Sequence, residues 1–184
     1  MQEKMNRHLK ISLQELKDSI DVSKLKKSEW NSKKTTNCYA YALGIDIPEE
    51  EVLSCGYEPG AISGVPYSLV NQTQFNYRYF IESIKADCEA LGLSYALSTP
   101  KEEIIGNGWK IALFTTRPIY THNDVVFSDF HFMRQSDNGI WYHKKGYSGS
   151  VCRRDDQFRV IRDPSHCFLN KYLYRECYIL SKKK

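Results

Sequence analysis

Nowhere in its 184 residues does the chain carry an apolar run approaching the roughly 18 residues that a membrane-spanning helix needs. Its opening stretch, Met-Gln-Glu-Lys-Met-Asn-Arg-His, has no apolar core of the kind a secretory signal requires. The six cysteines, at 38, 55, 88, 152, 167 and 177, show no disulfide framework. Free thiols in a reducing, cytoplasmic compartment are therefore expected, unless the protein is exported by a non-classical route. Cys152, His166, Cys167 and Cys177 lack the paired spacing of zinc ligands, so no metal and no cofactor are expected. The net charge of +4 is modest. Much of it sits in Lys24, Lys26, Lys27, Lys33, Lys34 and Lys182 to Lys184, as solvated runs and not as a basic stripe with interleaved aromatics. Neither nucleic acid nor a membrane is expected as a partner. No internal repeat and no low-complexity tract is present.

What is there suits one globular domain with a core of its own. Hydrophobic residues make up 41% and charged residues 26%, and thirteen tyrosines suit half-buried strands or a ligand-contacting groove. Residues 1–34 form a helical lead-in, with a Ser12/Glu15 capping box, Leu9, Leu13, Leu16 and Ile20 at helical spacing, and then a lysine-rich link. Residues 35–184 form the main domain. Thr35-Thr36-Asn37 offers N-cap residues to a short helix from Cys38 to Leu43 that Gly44 ends. A turn-rich excursion over 45–70 follows, and then a helix from Gln74 to Leu91 whose stripe is Tyr77, Phe80, Ile81, Ile84, Cys88 and Leu91. Thr99-Pro100-Lys101-Glu102 predicts a further short helix. Strands are predicted over 93–97, 109–115, 129–135, 140–144, 158–161 and 177–180, with Asp137-Asn138-Gly139 as a tight hairpin turn. Helices first and a mostly antiparallel sheet afterwards make the fold class α+β.

A useful thiol nucleophile needs a depressed pKa, a base for its proton and donors for a developing oxyanion. At the start of a helix Cys38 would face the positive end of the dipole and unpaired backbone N–H groups. Its ordinary alternative is a small buried core residue. The hairpin adds partners. His131 heads one strand and His143 lies on the next, with Phe132 or Met133 opposite His143, so both imidazoles reach one face. A base whose second nitrogen is held by another side chain is the general triad arrangement. An ion pair between Cys38 and His131 would give bell-shaped activity against pH.

Asn37-Cys38-Tyr39-Ala40-Tyr41-Ala42, followed by His131 heading a strand and a polar residue on the next, resembles the order found in papain-like peptidases. The resemblance is to the NlpC/P60 and CHAP group of cysteine peptidases and amidases. The stretches 129–134 and 139–146 also resemble bacterial and phage proteins that combine Asn-Cys-Tyr with a later Trp-x-His-Lys-x-Gly. The resemblance covers residues 35–165 in short motifs only. It departs from the pattern in Asn-Cys-Tyr at the nucleophile and in the 93-residue gap from Cys38 to His131. It implies a papain-like fold and a thiol hydrolase of amide, peptide or isopeptide bonds, working through a thioester on a peptide or amide-containing substrate. Cys38 would be nucleophile, His131 base and His143 the orienting group.

Alternatives remain at three points. Asp163, before Pro164, is the other candidate for orienting His131, or else a turn residue. Asn37 could donate to an oxyanion, or simply cap its helix. The thioester could also pass to an amine or alcohol, as in an acyltransferase, and a catalytically inactive papain-like fold could act as a binding or host-interaction protein.

Overall fold

The computed structural model describes residues 11–27, 36–45, 58–65, 69–71, 73–146 and 149–183. Leu9, Lys33, Lys34, Thr35, Cys55 and much of the turn-rich excursion lie outside them.

Four helices are present among the described residues: α1 (Leu13–Ser19), α2 (Val22–Leu25), α3 (Cys38–Leu43) and α4 (Tyr77–Ala90). Each begins at the polar residue its sequence supplies. Ser12 and Glu15 make both bonds of the capping box, Asp21 accepts from Ser23 N, Asn37 from Ala40 N and Asn76 from Tyr79 N. Gly44 ends α3 at φ +82°, a left-handed conformation that glycine adopts without steric cost.

A six-stranded antiparallel sheet carries the core, in the order β3 (Leu93–Ser98), β10 (Leu173–Lys182), β4 (Gly108–Thr115), β7 (Phe130–Gln135), β8 (Trp141–Lys144) and β9 (Val151–Cys152). Strand β4 is buried along its whole length, as a strand flanked on both edges and covered on both faces must be. On one face Trp109, Ile111, Leu113 and Phe132 pack against Leu16, Leu25, Tyr39 and Phe80 of the helices. On the other face Ala112, Phe114, Met133, Trp141 and Cys177 pack with Ile161 and Leu169 of the later segments. Each Leu, Ile, Phe or Met side chain so withdrawn from water contributes about 1.5–3 kcal/mol.

A second sheet has the order β1 (Leu69–Asn71), β2 (Gln74–Asn76), β6 (Val125–Phe127) and β5 (Ile119–Tyr120). It takes residues 74–76 away from the predicted helix, which therefore starts at Tyr77. Phe75 and Phe127 meet Phe80 of α4 at 6.3 and 5.0 Å between ring centroids, which ties this sheet to the core.

Two predicted elements are replaced. Thr99 and Glu102 do make reciprocal capping bonds, yet no helix follows. The buried Lys110 donates through Nζ to the carbonyls of Pro100 and Glu102, which a helix would need for itself. Residues 158–161 form no strand either. Asp155 accepts the backbone N–H groups of Gln157, Arg159 and Phe168, and this wraps the segment into a turn in which Phe158 sits at φ +62°.

Candidate active site

Helix α3 is fixed against the sheet from its C-terminal end. Trp109 Nε1 donates to Ala42 O at 3.0 Å, and Arg134 Nη1 donates to Tyr41 O at 3.0 Å. The Arg134 guanidinium also bonds the Tyr41 hydroxyl and lies 4.2 Å from the centre of its ring. Ala42 O is thereby given a donor from β4, and Tyr41 O, which already accepts Gly44 N, gains a second donor from β7. With α3 clamped to the strand that carries His131, Cys38 is delivered to that strand as well.

Backbone N–H groups of Phe132, the residue after His131, and of Cys38 and Tyr39 lie near enough to the Cys38 sulfur to favour its thiolate form. Phe132 and Phe130 face the helices, with rings 5.1 Å from Tyr39 and 5.0 Å from Phe80. Strand alternation turns His131 between them to the other side, where it stacks on Tyr172. The thiol thus meets β7 through its backbone, at the level where the imidazole departs. The expected depression of its pKa is not found. Cys38 is 7% exposed, and burial pushes the thiol up to about 12, outweighing the three backbone donors.

The two imidazoles are joined. His131 Nε2 and His143 Nδ1 lie 2.8 Å apart, with the rings nearly perpendicular. The hairpin sets Met133 opposite His143, so His131 is its diagonal neighbour on the same face. His143 Nε2 lies 3.0 Å from the carbonyl oxygen of Arg154. A carbonyl only accepts, so His143 carries its proton on Nε2 and offers a bare Nδ1. His131 must then donate from Nε2, which leaves His131 Nδ1 as the bare, basic nitrogen. Burial, and then the neighbouring His143, lowers His131 to about 3, and burial lowers His143 too. Both rings are therefore neutral at ordinary pH, as this chain of bonds requires.

A cavity of about 350 Å³ opens beside the pair, lined among others by Lys145, Asp156, Leu169 and Tyr172. Lys145 is ion-paired to Asp156 at 2.6 Å on its rim. Tyr172 and its partner Asp129 are site residues that the sequence reading did not single out. Asp129 stands two places before His131, but nothing separates Tyr172 from the twelve other tyrosines.

The remaining candidates are placed otherwise. Asn37 Oδ1 accepts Ala40 N at 2.9 Å, the ordinary work of an N-cap. Asp163 starts a 3-10 turn (Pro164–His166). Its Oδ1 accepts from Ser165 N and Oγ, and its Oδ2 faces His166 Nδ1 at 3.2 Å. Its carboxylate is thus engaged within its own turn, and His131 is bonded to His143 instead. Among the described residues no three His, Cys, Asp or Glu side chains gather as a metal-binding group. No described helix is long and apolar enough to cross a membrane. Comparison with models of known families, with curated proteins and with solved structures finds no match.

Proposed function

We propose that the protein is a papain-like cysteine hydrolase that cleaves an amide, peptide or isopeptide bond. The observation that carries this reading is the directional chain from His131 through His143 to the Arg154 carbonyl, which leaves Nδ1 bare on a histidine of the strand whose Phe132 backbone influences the Cys38 thiol. In this reading His131 Nδ1 and the Cys38 sulfur, which lie towards different faces of β7, must come together, so that the imidazole takes the thiol proton as the sulfur attacks the substrate carbonyl carbon. The carbonyl π electrons move to oxygen, and the backbone N–H groups of Cys38 and Tyr39 at the start of α3 serve as donors to that oxyanion. His131 then gives the proton to the departing amine, and a thioester on Cys38 is left. Water attacks the thioester with His131 again as base, which releases the acid and restores the thiol. Because thiol and imidazole rest neutral, the proton moves together with carbon–sulfur bond formation, without a standing ion pair. An amine or alcohol in place of water would make the same site an acyltransferase.

The buried, protonated thiol favours a second reading, a catalytically silent papain-like fold that binds a partner. One experiment divides the two. The protein is incubated with p-nitrophenyl acetate, and nitrophenol release is followed alongside the intact mass. The hydrolase reading expects one acetyl group on Cys38, none there in Cys38→Ala, and acylation slowed at least about 100-fold in His131→Ala. Acetylation confined to other cysteines, or a rate indifferent to His131, ends the hydrolase reading.

A further inference from the structure

His131 is held at two places, and only one of them is His143. The bond from His131 Nε2 to His143 fixes one edge of the ring but leaves it able to tilt about that bond. The Tyr172 ring closes off the tilt, with centroids 5.3 Å apart and planes at 26°. Tyr172 is itself anchored. Its hydroxyl donates to Asp129 Oδ2 at 2.8 Å, the same oxygen that receives Lys171 Nζ at 2.7 Å, and Asp129 Oδ1 accepts Phe130 N at 2.8 Å. The turn carrying Tyr172 closes through a Leu169–Tyr172 bridge, and Asn170 N donates to Asp156 Oδ2 at 2.9 Å. Two carboxylates therefore pin one short turn over the imidazole. One of them, Asp129, stands immediately before β7.

We infer that Tyr172, anchored by Asp129, is a positioning residue that fixes the plane of His131 and keeps its Nδ1 in the basic, unprotonated tautomer. Burial and the bond to Asp129 push the phenol far above its ordinary range, so Tyr172 acts by contact and not by giving up its proton. The catalytic consequence rests on the proposed hydrolase reading, whereas the effect on the ring does not. Four charged or titratable groups also face His131: His143 on β8, Asp129 before β7, Lys145 after β8, and Asp156 beyond β9. All four side chains remain when Tyr172 alone is altered, and only Asp129 loses a bond, the one from the phenol.

The test reads His131 directly, by ring nitrogen-15 shifts of the full chain, in wild type, Tyr172→Phe and Tyr172→Leu. Wild type is expected to show a single tautomer protonated at Nε2, with no titration down to about pH 4. Tyr172→Phe keeps a ring for the stack but loses the bond to Asp129, and should move His131 only part of the way. Tyr172→Leu should give a mixture of tautomers and a midpoint moved up by about one pH unit or more. If Tyr172→Leu does not fold, Tyr172→Phe stands in, since it loses the bond to Asp129 without changing any charge that faces His131, and a partial shift in the same direction is expected. Unchanged His131 shifts in the folded leucine variant, or in Tyr172→Phe where it must stand in, overturn the inference. With p-nitrophenyl acetate, kcat should fall about 10-fold in Tyr172→Leu while KM stays within about 2-fold. A wild-type protein that hydrolyses nothing, yet shows the tautomer change, keeps the inference and ends the hydrolase reading. Full acylation of Cys38 with His131 shifts insensitive to Tyr172 does the reverse.

Discussion

At Cys38 and His131 two opposing effects meet, and burial wins at both. A helix N-terminus and three backbone N–H groups favour a thiolate, but a site 7% exposed lifts the thiol to about 12, and the same burial takes His131 to about 3. The proposed enzyme should therefore show a broad plateau of kcat/KM from about pH 5 to pH 9, and not the bell near neutrality that an ion pair would give. A sharp maximum between pH 6 and 8, measured with p-nitrophenyl acetate, would count against the neutral pair. The same values bear on stability. A base whose folded pKa is depressed protects the fold above its unfolded value near 6.5, and that contribution drains away as pH falls towards the folded value. For His131 the loss between pH 7 and pH 5 is on the order of 1–2 kcal/mol, and His143 adds in the same direction. Urea unfolding at the two pH values should show this loss in wild type and a smaller one in His131→Gln. His143→Ala removes the acceptor that keeps the His131 proton on Nε2, so kcat should drop at least about 10-fold with Cys38 and His131 still in place. Asp163→Ala loses only a turn cap and should leave kcat unchanged.

Elements assemble this site through their ends. Helix α3 is only six residues long and would not hold in isolation, so its caps and clamps decide where Cys38 lies. Gly44 is one such point, since a Cβ there would stand 2.5 Å from Leu25 Cδ1 at a backbone conformation of φ +82°. Gly44→Ala should cost about 2 kcal/mol, from left-handed strain of about 1–2 kcal/mol together with displacement of a packed leucine, as read by the urea midpoint. This end of the helix was legible in the sequence, because Asn37 and Gly44 bracket a run too short for anything else. The β7–β8 hairpin was legible for a similar reason, with Asp137-Asn138-Gly139 between two alternating strands. The second sheet was not, because strands of two and three residues carry no period and pair across some fifty residues of chain. The capping box at Thr99 was real, but its helix was lost to Lys110, a competitor that only the folded chain brings near. The thiol's burial was hidden in the same way, since a helix start is written locally and the Phe132 strand that covers it is not.

Across the whole molecule, the lead-in and the main domain share one core. Leu16, Ile20 and Leu25 are buried in the cluster that holds Tyr39, Leu43, Trp109 and Phe132, on the sheet face to which α3 is clamped. Backbone and side-chain bonds repeat the connection. Asp137 N in the hairpin turn donates to Lys26 O at 2.9 Å, Lys26 Nζ donates to Gly106 O at 3.3 Å, and Lys182 Nζ donates to Lys17 O at 3.4 Å. The turn that brings His143 beside His131 thus leans on residue 26, and the helix bearing Cys38 leans on residue 25. A boundary after residue 34 marks a change in composition but does not divide the packing. Removal of residues 1–27 would expose Trp109 and the α3 flank and leave several large apolar side chains without partners. At about 2–5 kcal/mol for each large core side chain lost, three such losses match or exceed the 5–15 kcal/mol that holds an ordinary domain together. A chain beginning at residue 28 should therefore fail to fold cooperatively, giving no sigmoidal urea transition and no acylation at Cys38. Leu16→Ala in the full chain should lower stability by about 2–5 kcal/mol but leave acylation intact in the folded fraction, because Leu16 touches the core and not the histidine pair. A truncated chain that melts cooperatively and still acylates Cys38 would show instead that the sheet and α3 sustain the site on their own.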